Sequence, residues 1–396
     1  MANTNLANAK NAKNDEFYTQ YADIQKEINA YLDYNPNVFR DKTVLLPCDD
    51  PEWSNFTKFF AQNFELLGLK KLISTSFAPE SKKYKAGYMP TLFETESPLF
   101  DQVKTQTHGK IFTLDHDTNA NGRIDINDLE WHYLEGDGDF RSKEIRQLRD
   151  EADIIVTNPP FSLFREFVAW IMDAGKQFVI IGNMNAITYK EIFPLIMNNI
   201  IWLGNGFQNG NAYFRVVNER EYADGVYDAE TGLVKFRNCC WFTNIDHGRR
   251  HQPMKLMTMA ENFKHSKHKE LKELKEYIRY DNYDAIEVPF TDAIPDDYSG
   301  IMGVPTSFLD KYCPEQFEIL GSTQRGCHDL VPDTRKYDDY WECKPNGERT
   351  GSSGGKTNEN GNLLKNDGVH NYFENAEGRQ VQSTYQRIFI RKKQSL

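Results

Sequence analysis

Asp153-Ile154-Ile155-Val156-Thr157-Asn158-Pro159-Pro160-Phe161 is the stretch on which the fold turns. Its first five residues form an apolar run of strand length. Asn158-Pro159-Pro160 ends it, because proline brings no N–H to a ladder. Leu163, Phe167, Trp170 and Ile171 then fall at helical spacing. Gln177-Phe178-Val179-Ile180-Ile181-Gly182 is another apolar strand, followed by a helical pattern through Ile192 and Ile196. Strands apolar on both faces, alternating with helices, predict an α/β fold with a mostly parallel sheet covered by helices. In such sheets ligands bind beyond the carboxyl ends of the strands, where Asn158–Phe161 stands.

The same alternation runs upstream. Asp15 to Tyr34 reads as a helix, with Ile24, Ile28 and Tyr31 on one face. Thr43-Val44-Leu45-Leu46 is a short strand stopped by Pro47-Cys48-Asp49-Asp50-Pro51. Ser54 fits the N-cap of a helix through Phe56, Phe59 and Phe60, and Lys71 to Ser76 is a further strand. After Gly204 the alternation fades. Residues 213–217, 233–236 and 240–242 look like β-hairpin material, and Lys264 to Tyr280 a charged helix. Residues 345–371, rich in Gly, Asn, Ser and Lys, predict a long loop or mobile segment. Tyr385 to Lys393 is a strand with a basic tail. The expected organisation is a polar arm (1–14), a catalytic domain (15–204), and a mixed α+β target-recognition and C-terminal region (205–396).

Composition narrows the class. In 396 residues, 26 Phe and 20 Tyr supply bulky core filling, while a 39% hydrophobic fraction leaves room for solvated loops. No apolar run approaches the ~20 residues needed to span a bilayer, and Met1 to Asn14 lacks the apolar core of a signal peptide. A cytoplasmic location without membrane contact is therefore expected. Six scattered Cys without a C-x-x-C pair argue against a zinc ribbon and a disulfide framework. A net charge of −11 does not announce a nucleic-acid binder, but residues 235–280 carry eleven Lys or Arg against five Asp or Glu.

Asn158–Phe161 carries a specific chemistry. The exocyclic nitrogen of adenine is a weak nucleophile, because its lone pair is delocalised into the ring. Asn158 can supply a side-chain acceptor and Pro159 a backbone carbonyl, which together hold that lone pair toward an electrophile. Pro159 and Pro160 stiffen the loop, and Phe161 offers a face for an extruded base. A rigid turn after a strand is the plainer reading of the same four residues.

The sequence resembles the EcoRI-type family of adenine-specific DNA methyltransferases. Asp15-Glu16-Phe17-Tyr18-Thr19 is similar to its amino-terminal cofactor motif, and Val44 to Phe56 to its first cofactor loop. Gly136-Asp137-Gly138-Asp139-Phe140-Arg141-Ser142 resembles the acidic motif near the cofactor adenine. Thr157 to Phe161, Ile181 to Ala186 and Gly303 to Gly321 continue the likeness. The resemblance implies a Rossmann-like methyltransferase fold, S-adenosylmethionine as cofactor and double-stranded DNA as partner, by base flipping and direct transfer. It implies cofactor contacts from Phe17, Tyr18, Thr19, Pro47, Cys48, Asp49, Asp50, Asp139 and Phe140. A cognate restriction endonuclease would be linked only by a shared target site, and the chain is expected to act as a monomer; an orphan or phage methylase fits equally. Where most methyltransferases have a Gly-rich turn, this chain has Pro47-Cys48-Asp49-Asp50-Pro51, whose acids can receive the cofactor ammonium or simply be solvated. No acid ends the second strand, where one usually holds the ribose. rRNA or protein-glutamine methylation remains an alternative because those enzymes use a similar loop, and so does a non-catalytic DNA-binding module.

Two further patterns remain. Asp117 to Asp128 matches the calcium-loop template, with ligands expected from Asp117, Asn119, Asn121, the Arg123 carbonyl and Asp128. A structural Ca2+ or a plain Asn-Gly turn both fit this insert (115–130). Leu129 to Leu134 would then be an exiting helix. Arg249, Arg250, Lys264 and Lys267 are candidate DNA contacts, although a lysine-rich helix is also a common solvated face.

Overall fold

The computed structural model describes residues 18–48, 54–78, 97–207, 211–215, 225–236, 238–274, 276–323, 331 and 333–393. The chain divides into two compact units, Met1–Ala186 with Trp202–Gly248, and Ile187–Ile201 with Arg249–Leu396.

The first unit opens with strand β1 (Tyr18–Thr19) and helix α1 (Tyr21–Tyr34). Strand β2 (Thr43–Leu46) leads through α2 (Asn55–Gln62) and α3 (Phe64–Leu67) to β3 (Lys71–Thr75). Then come α4 (Gln102–Thr107), β4 (Lys110–Leu114), β5 (Glu130–Tyr133) and α5 (Lys143–Glu151). Strand β6 (Ile154–Thr157), α6 (Phe164–Met172) and β7 (Gln177–Asn183) follow. The chain later returns to this unit as β8 (Trp202–Leu203), β9 (Ala212–Arg215), β10 (Tyr227–Asp228), β11 (Leu233–Phe236) and β12 (Cys239–Thr243).

One sheet has the order β5-β4-β3-β2-β6-β7-β12-β8. Its middle strands β3, β2, β6 and β7 run parallel. β4 and β5 on one side, and β12 and β8 on the other, join antiparallel. The fold is α/β with a mixed sheet, which corrects the expected mostly parallel one at its flanks. An apolar run marks a buried strand but carries no information about its direction. Val44, Leu45, Ile154, Ile155, Val156, Val179, Ile180 and Ile181 are fully buried, as strands covered on both faces require. Ser54 caps α2 by accepting from the Phe56 N–H, as its position suggested.

A smaller sheet has the order β1-β9-β11-β10. It takes Tyr18 and Thr19 out of the helix expected from Asp15, by pairing them with Arg215 and Phe214. Ile24, Ile28 and Tyr31 do form the inward face of α1. Cys239–Thr243 does not belong to this hairpin layer. It pairs with β7, Trp241 opposite Ile181, so the first unit runs to Gly248 rather than ending at 204. Leu129 to Leu134, expected as a helix, holds strand β5.

The second unit contains α7 (Phe193–Met197), α8 (Met259–His265) and α9 (Lys269–Glu273). Its strands are β13 (Ile286–Glu287), β14 (Met302–Pro305), β15 (Phe317–Ser322), β16 (Trp341–Cys343), β17 (Arg349–Ser353), β18 (Asn362–Leu363), β19 (Tyr372–Glu374), β20 (Gln380–Ser383) and β21 (Arg387–Lys392). They make two sheets, β13-β14-β21-β15 and β17-β16-β19-β20-β18. The charged helix expected over 264–280 is broken. α8 starts on a Thr258/Glu261 capping box and ends at Ser266, and α9 stops at Leu274. Residues 345–371, expected as a loop, include β17, β18 and a 3₁₀ turn at Gly354–Glu359. Gly and Asn there serve tight turns between short strands, which composition alone does not distinguish from a mobile segment. The C-terminal strand is as expected, and is central: β21 pairs with both β14 and β15. Among the described residues, no helix is long and apolar enough to cross a membrane.

Candidate active site

The Asn158–Phe161 loop leaves the carboxyl end of β6, in the middle of the parallel strands. Asn158 is half-buried with its side-chain oxygen shielded from solvent, and Pro159 is buried. Phe161 begins a 3₁₀ turn (Phe161–Leu163) closed by the Leu163 N–H on the Pro160 carbonyl at 2.9 Å. Its ring packs partly buried against the core of the first unit. The turn runs straight into α6, whose first residue, Phe164, lies against Gly182 of β7. A Cβ on Gly182 would stand 2.5 Å from the Phe164 ring and 2.8 Å from Phe242. The Asn158–Phe161 loop is thus held between a rigid strand end and a helix seated on a glycine.

The neighbouring strand ends carry the expected cofactor residues. Continuing the parallel register Leu45↔Ile155 brings Pro47 and Cys48 to the level of Thr157 and Asn158. The Thr75 hydroxyl donates to the Pro47 carbonyl at 3.2 Å, tying the ends of β2 and β3. Asn55, in the first turn of α2, donates through Nδ2 to the Thr19 carbonyl at 2.8 Å. Tyr18, Thr19, Pro47 and Cys48 therefore gather at one edge of the sheet. Phe17, Asp49 and Asp50 lie outside the described residues.

The Gly136–Ser142 motif crosses the carboxyl end of β3. The Ala78 N–H donates to the Asp137 carbonyl at 2.7 Å, and the Gly109 N–H to that of Gly136 at 2.9 Å. The approach is close enough to require glycine: a Cβ on Gly138 would lie 2.1 Å from the Ser76 carbonyl oxygen, and one on Gly109 2.5 Å from it. Asp139 is bonded by Arg141, Nη2 to Oδ2 at 2.6 Å and Nε to Oδ1 at 2.9 Å. The guanidinium holds its carboxyl below the usual carboxylate range. Phe140 is buried edge-on against Phe167 and Trp170, a core position rather than an open face for a ligand. Gly109, Gly138 and Gly182 escaped the sequence reading. The spacing in Gly136-Asp137-Gly138-Asp139 was the one visible sign of a close backbone approach.

Asp117 to Asp128 folds as a loop that satisfies itself. Asp128 Oδ1 accepts from the N–H and hydroxyl of Thr118 and from the N–H and Nδ2 of Asn119, at 2.7–3.2 Å. Its Oδ2 accepts from the Asp125 N–H at 3.0 Å. Asp117 accepts from the N–H groups of Asn121 and Gly122, and Asn121 Oδ1 from that of Arg123. Among the described residues no group of three or more His, Cys, Asp or Glu is arranged to hold a metal ion. The calcium expectation gains no support; strand β4 precedes the loop, and β5 rather than an exiting helix follows it.

The four expected DNA cations have different surroundings, all in the second unit. Arg250 is buried, and its guanidinium donates to Asn199. Arg249 is half-buried, and its charge favours ionisation of the Asp310 carboxyl, which burial pushes up. Lys267 is exposed and pairs with Asp292 at 2.8 Å. Lys264 is exposed in the last turn of α8.

The family described as "Adenine-specific methyltransferase EcoRI" matches residues 5–393. The type II methyltransferase M.EcoRI of Escherichia coli is 40% identical over 318 residues, 80% of this chain and 88% of that protein. The type II methyltransferase M.MpnI of Mycoplasma pneumoniae is 34% identical over 317 residues, 79% of this chain and 83% of that one. No solved structure matches the chain.

Proposed function

The chain belongs to the EcoRI family of adenine-specific methyltransferases, and on that footing we propose that its reaction centre is the Asn158–Phe161 loop at the carboxyl end of β6. It is an adenine-specific DNA methyltransferase of the restriction–modification type. The substrate we assign is duplex DNA and the acceptor atom adenine N6. The observation that carries this reading is the position of Asn158 and Pro159, directly beyond a fully buried strand, with Asn158 at the level to which the register brings Cys48.

Asn158 Oδ1 and the Pro159 carbonyl accept the two N6–H bonds of an extruded adenine, which turns the nitrogen lone pair out of the ring plane. Phe161, at the start of its 3₁₀ turn, stacks on the base. S-Adenosylmethionine supplies an electrophilic methyl on a sulfonium. Tyr18, Thr19, Pro47, Cys48, Phe17, Asp49 and Asp50 are the residues we assign to hold it, on the Rossmann-like part of the sheet. The tied ends of β2 and β3 and the Asn55–Thr19 bond fit such a group by giving it fixed backbone on two sides. Asp139, bonded to Arg141, suits a hydrogen-bond acceptor at that edge, whereas Phe140 supports it from the core. Alignment is the main catalytic contribution, because direct transfer needs no covalent intermediate. Arg249 and Lys264 remain our assigned phosphate contacts. We place the enzyme in the cytoplasm as a monomer, meeting a cognate endonuclease only through a shared site.

Tritium transfer from labelled S-adenosylmethionine tests the assignment. Wild type is expected to label duplex DNA, but neither rRNA nor protein. Asn158→Ala is expected to abolish labelling while cofactor binding persists. Near-normal transfer by that variant would overturn the mechanism.

A further inference from the structure

We propose that the outward face of the β1-β9-β11-β10 sheet is a contact site for the sugar-phosphate backbone of the duplex, beside the base-capture loop. The inference rests on the DNA methyltransferase reading above and adds a surface to it.

Strand alternation fixes the two faces. On β9, Ala212 and Phe214 are fully buried, whereas Tyr213 is 38% exposed and Arg215 exposed. Register places Lys235 opposite Tyr213, and Leu233 and Tyr18 on either side of Arg215. Tyr18, Tyr213, Arg215, Leu233 and Lys235 therefore share one face. The opposite face is anchored. Phe214 meets Phe207 and Phe236 edge-on, and Phe207 stacks on Trp241 of β12 with centroids 5.4 Å apart. Such anchoring gives the outward side chains a firm platform.

Among the described residues the chemistry of this face is one-sided. Lys235 Nζ stands over the Tyr213 ring, 5.8 Å from its centroid. No carboxylate of the described residues pairs with Arg215 or Lys235. The acid that shares the face, Asp228 opposite Leu233, is turned into its own loop, accepting from the Glu230 N–H at 3.0 Å and the Thr231 hydroxyl at 2.8 Å. Cations left unpaired beside an aromatic ring, in a chain of net charge −11, call for an external anion. A duplex supplies regularly spaced phosphates, and an amphipathic tyrosine suits the sugar between them.

Position points to the same occupant. Thr19 in β1 is bonded to Asn55 just beyond the loop that leaves the carboxyl end of β2. The sheet thus stands at the edge from which Asn158 and Phe161 emerge. A duplex presenting one base there would lay its flanking backbone along this face. Backbone contacts position the duplex and carry no sequence information.

The test is a salt titration of binding to a fluorescein-labelled duplex oligonucleotide, read by anisotropy with full-length protein between about 50 and 200 mM salt. Arg215→Gln/Lys235→Gln is expected to flatten the slope of log Kd against log salt by about 1–2, and to weaken binding roughly 10-fold. Its melting temperature and S-adenosylmethionine affinity are expected to stay at the wild-type value. Arg215→Lys/Lys235→Arg keeps the charges and is expected to restore the slope, which separates lost contacts from a lost fold. A wild-type slope in the Gln variant, with wild type itself binding duplex, would overturn this inference alone. A wild-type protein that binds no duplex would overturn it together with the function on which it rests.

Discussion

Gly138 and Gly122 isolate two different demands for glycine. Both have positive φ, +84° and +82°, so an L side chain at either is strained. Only Gly138 faces a backbone atom: its Cβ would meet the Ser76 oxygen at 2.1 Å, while Gly122 has open space. Gly122→Ala is therefore expected to cost about 1 kcal/mol, from backbone conformation alone. Gly138→Ala is expected to cost more, about 2–4 kcal/mol, because the loop must also move off β3. Thermal denaturation measures both, and calorimetric titration with S-adenosylmethionine should show weakened binding only for Gly138→Ala. Equal costs would contradict the packing of this motif.

Asp128 carries a prediction about acid and about metal. The Asp125 N–H foremost, with the donors of Thr118 and Asn119, holds its carboxyl below the ordinary value. A carboxyl depressed in the folded state contributes stability that is complete above its unfolded value and is lost as pH falls through the folded one. The melting temperature of wild type is therefore expected to drop more steeply below about pH 4 than that of Asp128→Asn. Because the loop oxygens are already bonded to N–H groups, chelation with EDTA is expected to leave the melting temperature unchanged. A large drop on chelation would restore the calcium reading.

Elements, more than single side chains, decide where the Asn158–Phe161 loop points. Phe164 sits on Gly182 with no room for a methyl group. Gly182→Ala must displace the start of α6, and with it the turn that carries Phe161. A stability loss of about 1–3 kcal/mol is expected. In methylation assays kcat should fall more than KM changes, since alignment is disturbed rather than access. Unchanged kcat would separate α6 from catalysis. The buried Glu27 plays a similar part for another element. It accepts from the Tyr31 hydroxyl at 2.6 Å and from the N–H groups of Asn205 and Gly206 at 2.9 and 3.0 Å, so α1 fixes the loop after β8.

This scale also shows what the sequence could disclose. Buried strands such as β2, β6 and β7 announced themselves, because covering both faces demands unbroken Val, Ile and Leu. The break after β6 was legible for a related reason: Pro159 and Pro160 cannot continue such a strand. Strand direction was not, because 110–114 and 239–243 are equally apolar whichever way they run. Nor was the fate of Tyr18 and Thr19, whose partners lie almost two hundred residues away and leave no local period. Arg250 looked like a DNA contact because charge was visible and Asn199 was not.

At the scale of the whole molecule, the chain crosses between its two units after Ala186, after Ile201 and after Gly248. Residues 187–201 thus belong with the second unit although they are embedded in the sequence of the first. Their apolar side chains Ile192, Phe193, Ile196 and Ile201 are at most 2% exposed, and Asn199 accepts from Arg250. A fragment ending at Gly248 would retain this segment and lose the strands and loops of the second unit. Each large apolar side chain returned to water forfeits about 1.5–3 kcal/mol, enough in sum to remove the margin of an ordinary domain. The 1–248 fragment is therefore expected to elute as aggregate in size-exclusion chromatography, whereas the full chain is expected to elute as a single species. Replacing Phe193 and Ile196 with Ser in the fragment should lessen the aggregation, yet destabilise the full chain. A monodisperse fragment melting like the intact protein would show that residues 187–201 need no second unit to be covered.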